Sequence, residues 1–210
     1  LVESLRSEKQ SVRLGAIEIV QKMGSHAKAA EGPLMALVSD PTPKIRAGAF
    51  QALNAVGAKP ETLLPKLQAA LQDESPLVRR AAASVLANVG SEAKPALESL
   101  TLILQDNDPL VKNAAVKALG AIGEAAEPAV PKLSELLNVA DGGLQLDVVE
   151  ALGKIGSNAK LAVPRLVELF SIERKNLRLA LCQSLASIGA AASAAIPTLQ
   201  AALQNPDADL

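Results

Sequence analysis

Residues 73–90 read DESPLVRRAAASVLANVG, and the passage comes back. Thirty-three residues later, residues 106–123 read DNDPLVKNAAVKALGAIG; thirty-three earlier, residues 40–57 read DPTPKIRAGAFQALNAVG. The same step links glycines 24, 57, 90, 123, 156 and 189. It links Arg13, Arg46, Arg79, Lys112, Gln145 and Arg178, and also Val12, Ile45, Val78, Val111, Leu144 and Leu177. No insertion breaks the register, so 210 residues hold six full periods and a remainder. Self-similarity at a fixed period of this length is the signature of a repeat architecture.

Each period carries two apolar stripes at helical spacing. In the third period Leu64, Leu67, Ala70 and Leu71 form the first. Asp73, Ser75 and Pro76 interrupt it, and Pro76 suits the first turn of a new helix, where its missing N–H costs nothing. Val78, Ala82, Val85, Leu86 and Val89 form the second stripe, and Gly90 ends it as a left-handed C′ residue. Alanines 49, 82 and 115 let successive helices approach closely. A lone hairpin cannot bury both stripes, whereas stacked neighbours can. The pattern therefore predicts an all-α fold: a right-handed α-solenoid of stacked antiparallel helical hairpins with a 33-residue period. Residues 1–210 are read as a single repeat domain with partial repeats at both ends, a piece of a longer array, since Leu1 matches Leu34 and Leu210 matches Val78.

Composition removes several kinds of chemistry. The chain is 49% hydrophobic with a formal charge of −1, which fits a folded core and not a nucleic-acid binder. No apolar run approaches the ~18 residues of a membrane span, so none is expected. The opening LVESLRSEKQ is not a signal peptide. Cys182 is the only cysteine, which rules out an intrachain disulfide and fits the cytoplasm by default. His26 is the only histidine, and it is read as a solvated loop residue. Together they cannot supply a metal site, and no cofactor is expected. The glycines follow helices instead of opening them, so no phosphate loop is present. Cys182 shares an apolar column with Ile17, Phe50, Ala83, Val116 and Val149 and is read as a buried structural thiol.

The unit D-x-x-P-x-V-R-x-x-A-x-x-x-L-x-x-x-G resembles the HEAT repeat, in the short variety of phycobilisome-lyase-like proteins. The match is strongest in the second to fourth units. The resemblance implies a ladder between adjacent repeats built from Asp40/Arg46, Asp73/Arg79 and Asp106/Lys112. Beyond it the equivalents become Val139, Ile172 and Gln145, and Gly142-Gly143 replace a proline and a bulky residue. Two readings of that site stand side by side: drift offset by apolar contact, or a flexible joint with a weakened helix start. The resemblance further implies that second helices line a concave binding face. The stripe opposite the core of the third unit is Leu77, Arg80, Ala81, Ser84, Ala87 and Asn88. Transposed along the array, the candidates for contact are Arg80, Ser84, Asn88, Lys117, Glu150, Lys154 and Gln183. The expected function is a non-catalytic scaffold or adaptor that binds a protein or an extended peptide. The alternative is a subunit of a phycobilin-lyase-like complex acting on a bilin or other prosthetic group. Two enzymatic relatives of the repeat fit poorly. The deoxyhypusine-hydroxylase type relies on several His-Glu pairs, and the DNA-glycosylase-like type on aromatic residues; this chain has no Trp or Tyr.

Overall fold

A computed structural model describes residues 1–139, 142–172 and 174–203, which alternate between first and second helices of successive hairpins. The first helices are α1 (Val2–Leu5), α3 (Glu31–Leu37), α5 (Pro60–Ala70), α7 (Leu97–Leu102), α9 (Val130–Val139), α11 (Val163–Glu168) and α13 (Ile196–Leu203). The second helices are α2 (Gln10–Met23), α4 (Pro43–Ala55), α6 (Pro76–Val89), α8 (Pro109–Ile122), α10 (Gly142–Ile155) and α12 (Lys175–Ile188). The chain forms two compact units, Leu1–Ala115 and Val116–Leu210, whose boundary falls inside α8. In the first unit α2 packs on α4 and α4 on α6; in the second, α10 packs on α12.

Local sequence explains the helix ends. Thr42 and Ser75 hold extended backbone at the N-caps of α4 and α6, and Pro43 and Pro76 supply the first helical residue of each. The proline ring fixes φ at a helical value where no backbone donor is needed. At the other end, Gly90 takes φ 69°, ψ −134°. That conformation has the positive φ expected of a C′ glycine, but its ψ lies outside the left-handed helical region, in territory open essentially to glycine alone.

A seven-residue 3₁₀ stretch follows five of the second helices, at Gly24–Ala30, Gly90–Ala96, Gly123–Ala129, Gly156–Ala162 and Gly189–Ala195. Residues three apart eclipse each other in a 3₁₀ helix. Ala93 and Ala96, Ala126 and Ala129, and Ala159 and Ala162 accordingly share the inward face and are fully buried. The second hairpin lacks this stretch. Pro60 stands three residues after Gly57, at the position of those alanines, and starts α5 directly. His26, expected in a loop, lies in one of these 3₁₀ turns; it is exposed, with Nδ1 3.2 Å from the Met23 carbonyl.

The core follows the stripes with four corrections, of which the first is Val89, the last residue of the α6 stripe, which is only half-buried. Ala81, placed on the outward stripe by spacing, is buried. α6 packs against both α5 and α4, so its buried arc is wider than a single stripe. In α5, Leu63 is buried and Leu64 only half-buried. Both lie one turn before Leu67, at i−4 and i−3, and a 3.6-residue period does not separate them. Cys182 is half-buried, unlike the buried Ile17, Phe50, Ala83, Val116 and Val149 of its column. Burial nevertheless pushes its thiol pKa up, away from thiolate reactivity.

The helical run Lys175–Ala201 contains an 18-residue window of mean hydropathy 1.6, so it meets the length and composition of a membrane crossing, contrary to the sequence expectation. It is not one straight helix, because the backbone turns at Gly189 with φ 68°, ψ −137°. Its apolar residues Leu177, Ala180, Leu181, Leu185 and Ile188 are buried in the hairpin stack, so they belong to the repeat core.

Candidate protein-binding face

Three arginines of the first unit reach a carboxylate of the following hairpin, two of them through paired hydrogen bonds. Arg46 donates from Nε and Nη2 to Asp73 Oδ2 and Oδ1, at 2.8 and 2.7 Å. Arg79 does the same to Asp106, at 2.6 and 2.9 Å. Arg13 places Nε 3.0 Å from Asp40 Oδ2 as an ion pair, though Nε makes no hydrogen bond there. The Nη1 of each arginine donates to two carbonyls of its own turn: Ser7 and Glu8, Asp40 and Pro41, Asp73 and Glu74. The carboxylate partner of each arginine therefore lies one repeat further on, not in the arginine's own turn. Arg13, which the sequence pairing left out, occupies the first such position. Lys112 contributes by charge alone, as the weakest of the influences that lower the Asp106 carboxyl.

The aspartates also order the turn they stand in. Asp40, Asp73 and Asp106 accept from the backbone N–H two residues on, at 2.8, 2.9 and 2.9 Å. They tie down the approach to the helix and leave the helical N–H groups to others. Asp108 is a direct cap, taking the Leu110 and Val111 N–H groups at the start of α8. Burial raises the Asp73 carboxyl. The Arg46 hydrogen bonds, the Ser75 N–H and the charges of Arg46 and Arg79 outweigh it, so its pKa falls below the ordinary value. Asp106 is lowered chiefly by the Arg79 hydrogen bonds, against burial and with help from the Asp108 N–H.

In the second unit the chemistry changes. Gln145 is buried and donates to the Leu137 carbonyl at 3.2 Å. Arg174, just before α12, donates to Gln145 Oε1 at 3.1 Å and to the Gly142 carbonyl at 2.8 Å. A Cβ on Gly142 would sit 2.7–2.9 Å from the Arg174 guanidinium, so the glycine makes the space that the cation fills. α10 starts at Gly142, so the glycine pair does not delay the helix.

The candidate contact residues lie on the second helices. In the first unit Ser84 and Asn88 are exposed and Arg80 is half-buried. A groove of about 220 Å³ runs across α2, α4 and α6, lined by Arg80 with Leu14, Ile17, Glu18, Lys44 and Leu77 among others. Within it Gln21 donates to the Gly48 carbonyl at 3.1 Å and to Gln51 Oε1 at 3.3 Å, joining α2 to α4. Ser84 and Asn88 do not line this groove.

In the second unit Glu150, Lys154 and Gln183 come together with Gly153, Ser184 and Ser187 in a groove of about 260 Å³ between α10 and α12. Its floor is set by small residues. A Cβ on Gly153 would lie 2.9 Å from Ser184 Cα, so the two helices approach as closely as glycine allows. The buried Ser184 hydroxyl donates to the Val149 carbonyl at 2.8 Å and is thereby satisfied. Lys117 is exposed with Nζ 3.5 Å from Asp147, outside that groove. Gly153 and Ser184 escaped the sequence reading, because their role depends on the distance between two helices. Leu14, two repeats before Arg80 in its column of the array, and Lys44, one repeat before Leu77 in its own, also escaped it, and neither column is polar throughout.

The family model for HEAT repeats matches residues 33–103, 64–153 and 131–210, and the chain belongs to the HEAT-repeat family. Solved structures share its fold. A designed armadillo repeat protein in complex with the peptide (KR)4 is 20% identical with a TM-score of 0.75, over 90% of this chain and 98% of that one. The complex of CpcE and CpcF of phycocyanin lyase from Nostoc sp. PCC7120 is 25% identical with a TM-score of 0.62, over 93% and 78%. A karyopherin bound to the extreme C-terminus of a protein phosphatase is 20% identical with a TM-score of 0.71, over 89% of this chain and 22% of that one. No curated protein matches the chain in sequence.

Proposed function

We propose that the protein is a non-catalytic scaffold that binds another polypeptide, as a protein surface or an extended peptide, through the exposed face of its second helices. The observation that carries this reading is the convergence of Glu150, Lys154 and Gln183 on one shallow groove with Ser187. An acid, an ammonium, an amide and a hydroxyl on a floor of small residues suit a main chain and short side chains. The relatedness to an armadillo protein that holds a peptide, and to a karyopherin that holds a protein tail, supports the same reading. Affinity capture from extract of the source cells tests it, with the wild type beside the triple variant Arg80→Ala, Lys117→Ala, Lys154→Ala. A partner held by the wild type and released by the variant is the expected result. A partner held equally by both moves recognition off this face.

The second reading is a subunit of a lyase-like complex, and the relatedness to the CpcE–CpcF complex is what favours it. On that reading, adding a bilin to the protein produces a visible absorbance or fluorescence change. An unchanged spectrum removes it.

A further inference from the structure

We propose that the first-unit groove binds an acidic polypeptide segment, with an Asp or Glu carboxylate received by Lys44 and Arg80 and an adjacent apolar side chain resting on Leu14, Ile17 and Leu77. The inference builds on the reading of the second-helix face as a polypeptide-binding surface, and gives that surface a sign.

Arg80 is the starting point. Arg79, its neighbour in α6, is spent on Asp106 and on two carbonyls of its own turn. Arg46 is engaged in the same way, and Arg13 is ion-paired to Asp40 and donates to two carbonyls of its own turn. Arg80 is half-buried like these three, yet it has neither an ion pair nor a side-chain hydrogen bond among the described residues. A guanidinium carries five N–H donors in a fixed fork that matches a carboxylate. None of the Arg80 nitrogens is buried, so the fork stands open in the groove to a ligand carboxylate.

Lys44 lines the same groove, is exposed, and is likewise unpaired. Glu18 is the single acid among the lining residues, so cations outnumber it two to one. The excess is local, since the whole chain has a formal charge of −1. Beside the cations, Leu14 and Leu77 are half-buried and Ile17 is buried, which gives an apolar wall within reach of the same ligand. A cation pair against an apolar wall selects a carboxylate next to a hydrophobic residue and disfavours a basic segment. This polarity is opposite to that of the (KR)4 peptide held by the related designed armadillo protein.

The test is fluorescence anisotropy with the whole chain and three labelled probes. One is a peptide of Asp-Leu-Ser repeats; the others carry Asn or Lys in place of Asp. The acidic peptide is expected to bind roughly tenfold more tightly than the Lys peptide, with the Asn peptide between. Arg80→Gln and Lys44→Gln are each expected to weaken the acidic peptide about fivefold. Glu18→Gln should tighten it, and Arg80→Lys, which keeps the charge and loses the fork, should fall between the wild type and Arg80→Gln. Lys44 is exposed, so its variant reports on binding even if Arg80→Gln disturbs the fold. Equal or tighter binding of the Lys peptide overturns the proposal, and so does acidic binding that neither Gln variant changes. Failure of all three peptides overturns it too. If the triple variant still loses its captured partner in that case, the polypeptide-binding reading survives and only its acidic sign falls.

Discussion

Arg46 and Asp73 belong to successive hairpins and are joined by two parallel hydrogen bonds of 2.8 and 2.7 Å. The same guanidinium holds the carbonyls of Asp40 and Pro41 in its own turn, and the same carboxylate holds the Ser75 N–H in the next. Both side chains are largely withdrawn from water, at 11% and 15% exposure. One ion pair thus connects the turns that begin two consecutive second helices.

Removing either end should be costly. Asp73→Ala leaves a shielded guanidinium without its carboxylate and a turn N–H without its acceptor, and is expected to lower stability by about 2–3 kcal/mol. Urea titration of the wild type, each single variant and the double variant measures the coupling. A coupling below a few tenths of a kcal/mol would show that the pair is a surface ornament.

Acid should weaken the first unit in a defined direction. The Asp73 and Asp106 carboxyls are depressed in the folded state. A depressed carboxylate contributes stability that is present above its unfolded pKa of about 3.9 and is lost as pH falls through its folded pKa. The melting temperature of the wild type is therefore expected to fall below about pH 4, and that of Asp73→Asn/Asp106→Asn to fall less over the same window. Parallel curves would refute the assignment.

How far the sequence carried this reading depends on the kind of feature. Helix positions were legible, because Pro76 and Gly90 punctuate the chain chemically and the apolar stripes repeat in register. The ladder residues were legible as a set while their partners were not. Asp40 and Asp73 lie six residues before and 27 after Arg46, and sequence spacing alone does not say which carboxylate a long side chain reaches. Arg174 was invisible for a related reason. It stands at a position occupied by Thr42, Ser75 and Asp108 in other repeats, and only packing brings it to Gly142. Gly142 read as weakness in a helix start, and in the fold it is room for a cation.

Two glycine substitutions should differ in sign. Gly15 has nothing within 4 Å of a built Cβ, so Gly15→Ala is expected to stabilise by about 0.5–1 kcal/mol. Gly153→Ala would bring a methyl group to 2.7 Å from Ser184 Oγ and 2.9 Å from its Cα. It should destabilise by about 1–3 kcal/mol through overpacking, and widen the groove between α10 and α12. Thermal melts of the two variants decide this, and a stabilising Gly153→Ala would mean that the helices are not in close contact.

The effect of Gly142→Ala should depend on Arg174. With arginine present the new methyl displaces the guanidinium from Gln145 and the Gly142 carbonyl, offsetting the gain in helix propensity. In an Arg174→Ala background that conflict is gone, and the same substitution is expected to stabilise by about 0.5–1 kcal/mol. Additive effects in the four-way comparison would dissociate the two residues.

The direction in which arginine reaches has a consequence for building with this chain. Arg13, Arg46 and Arg79 extend to the hairpin that follows them, whereas Arg174 extends back to the hairpin before it. A hairpin duplicated beside its parent within the first unit would arrive with both a donor for its successor and an acceptor for its predecessor. A hairpin moved from one half to the other would bring an arginine to a turn with no carboxylate, or leave a carboxylate facing Gln145. Units that align column by column are therefore not interchangeable parts, and the length of the array can be edited safely only within a half.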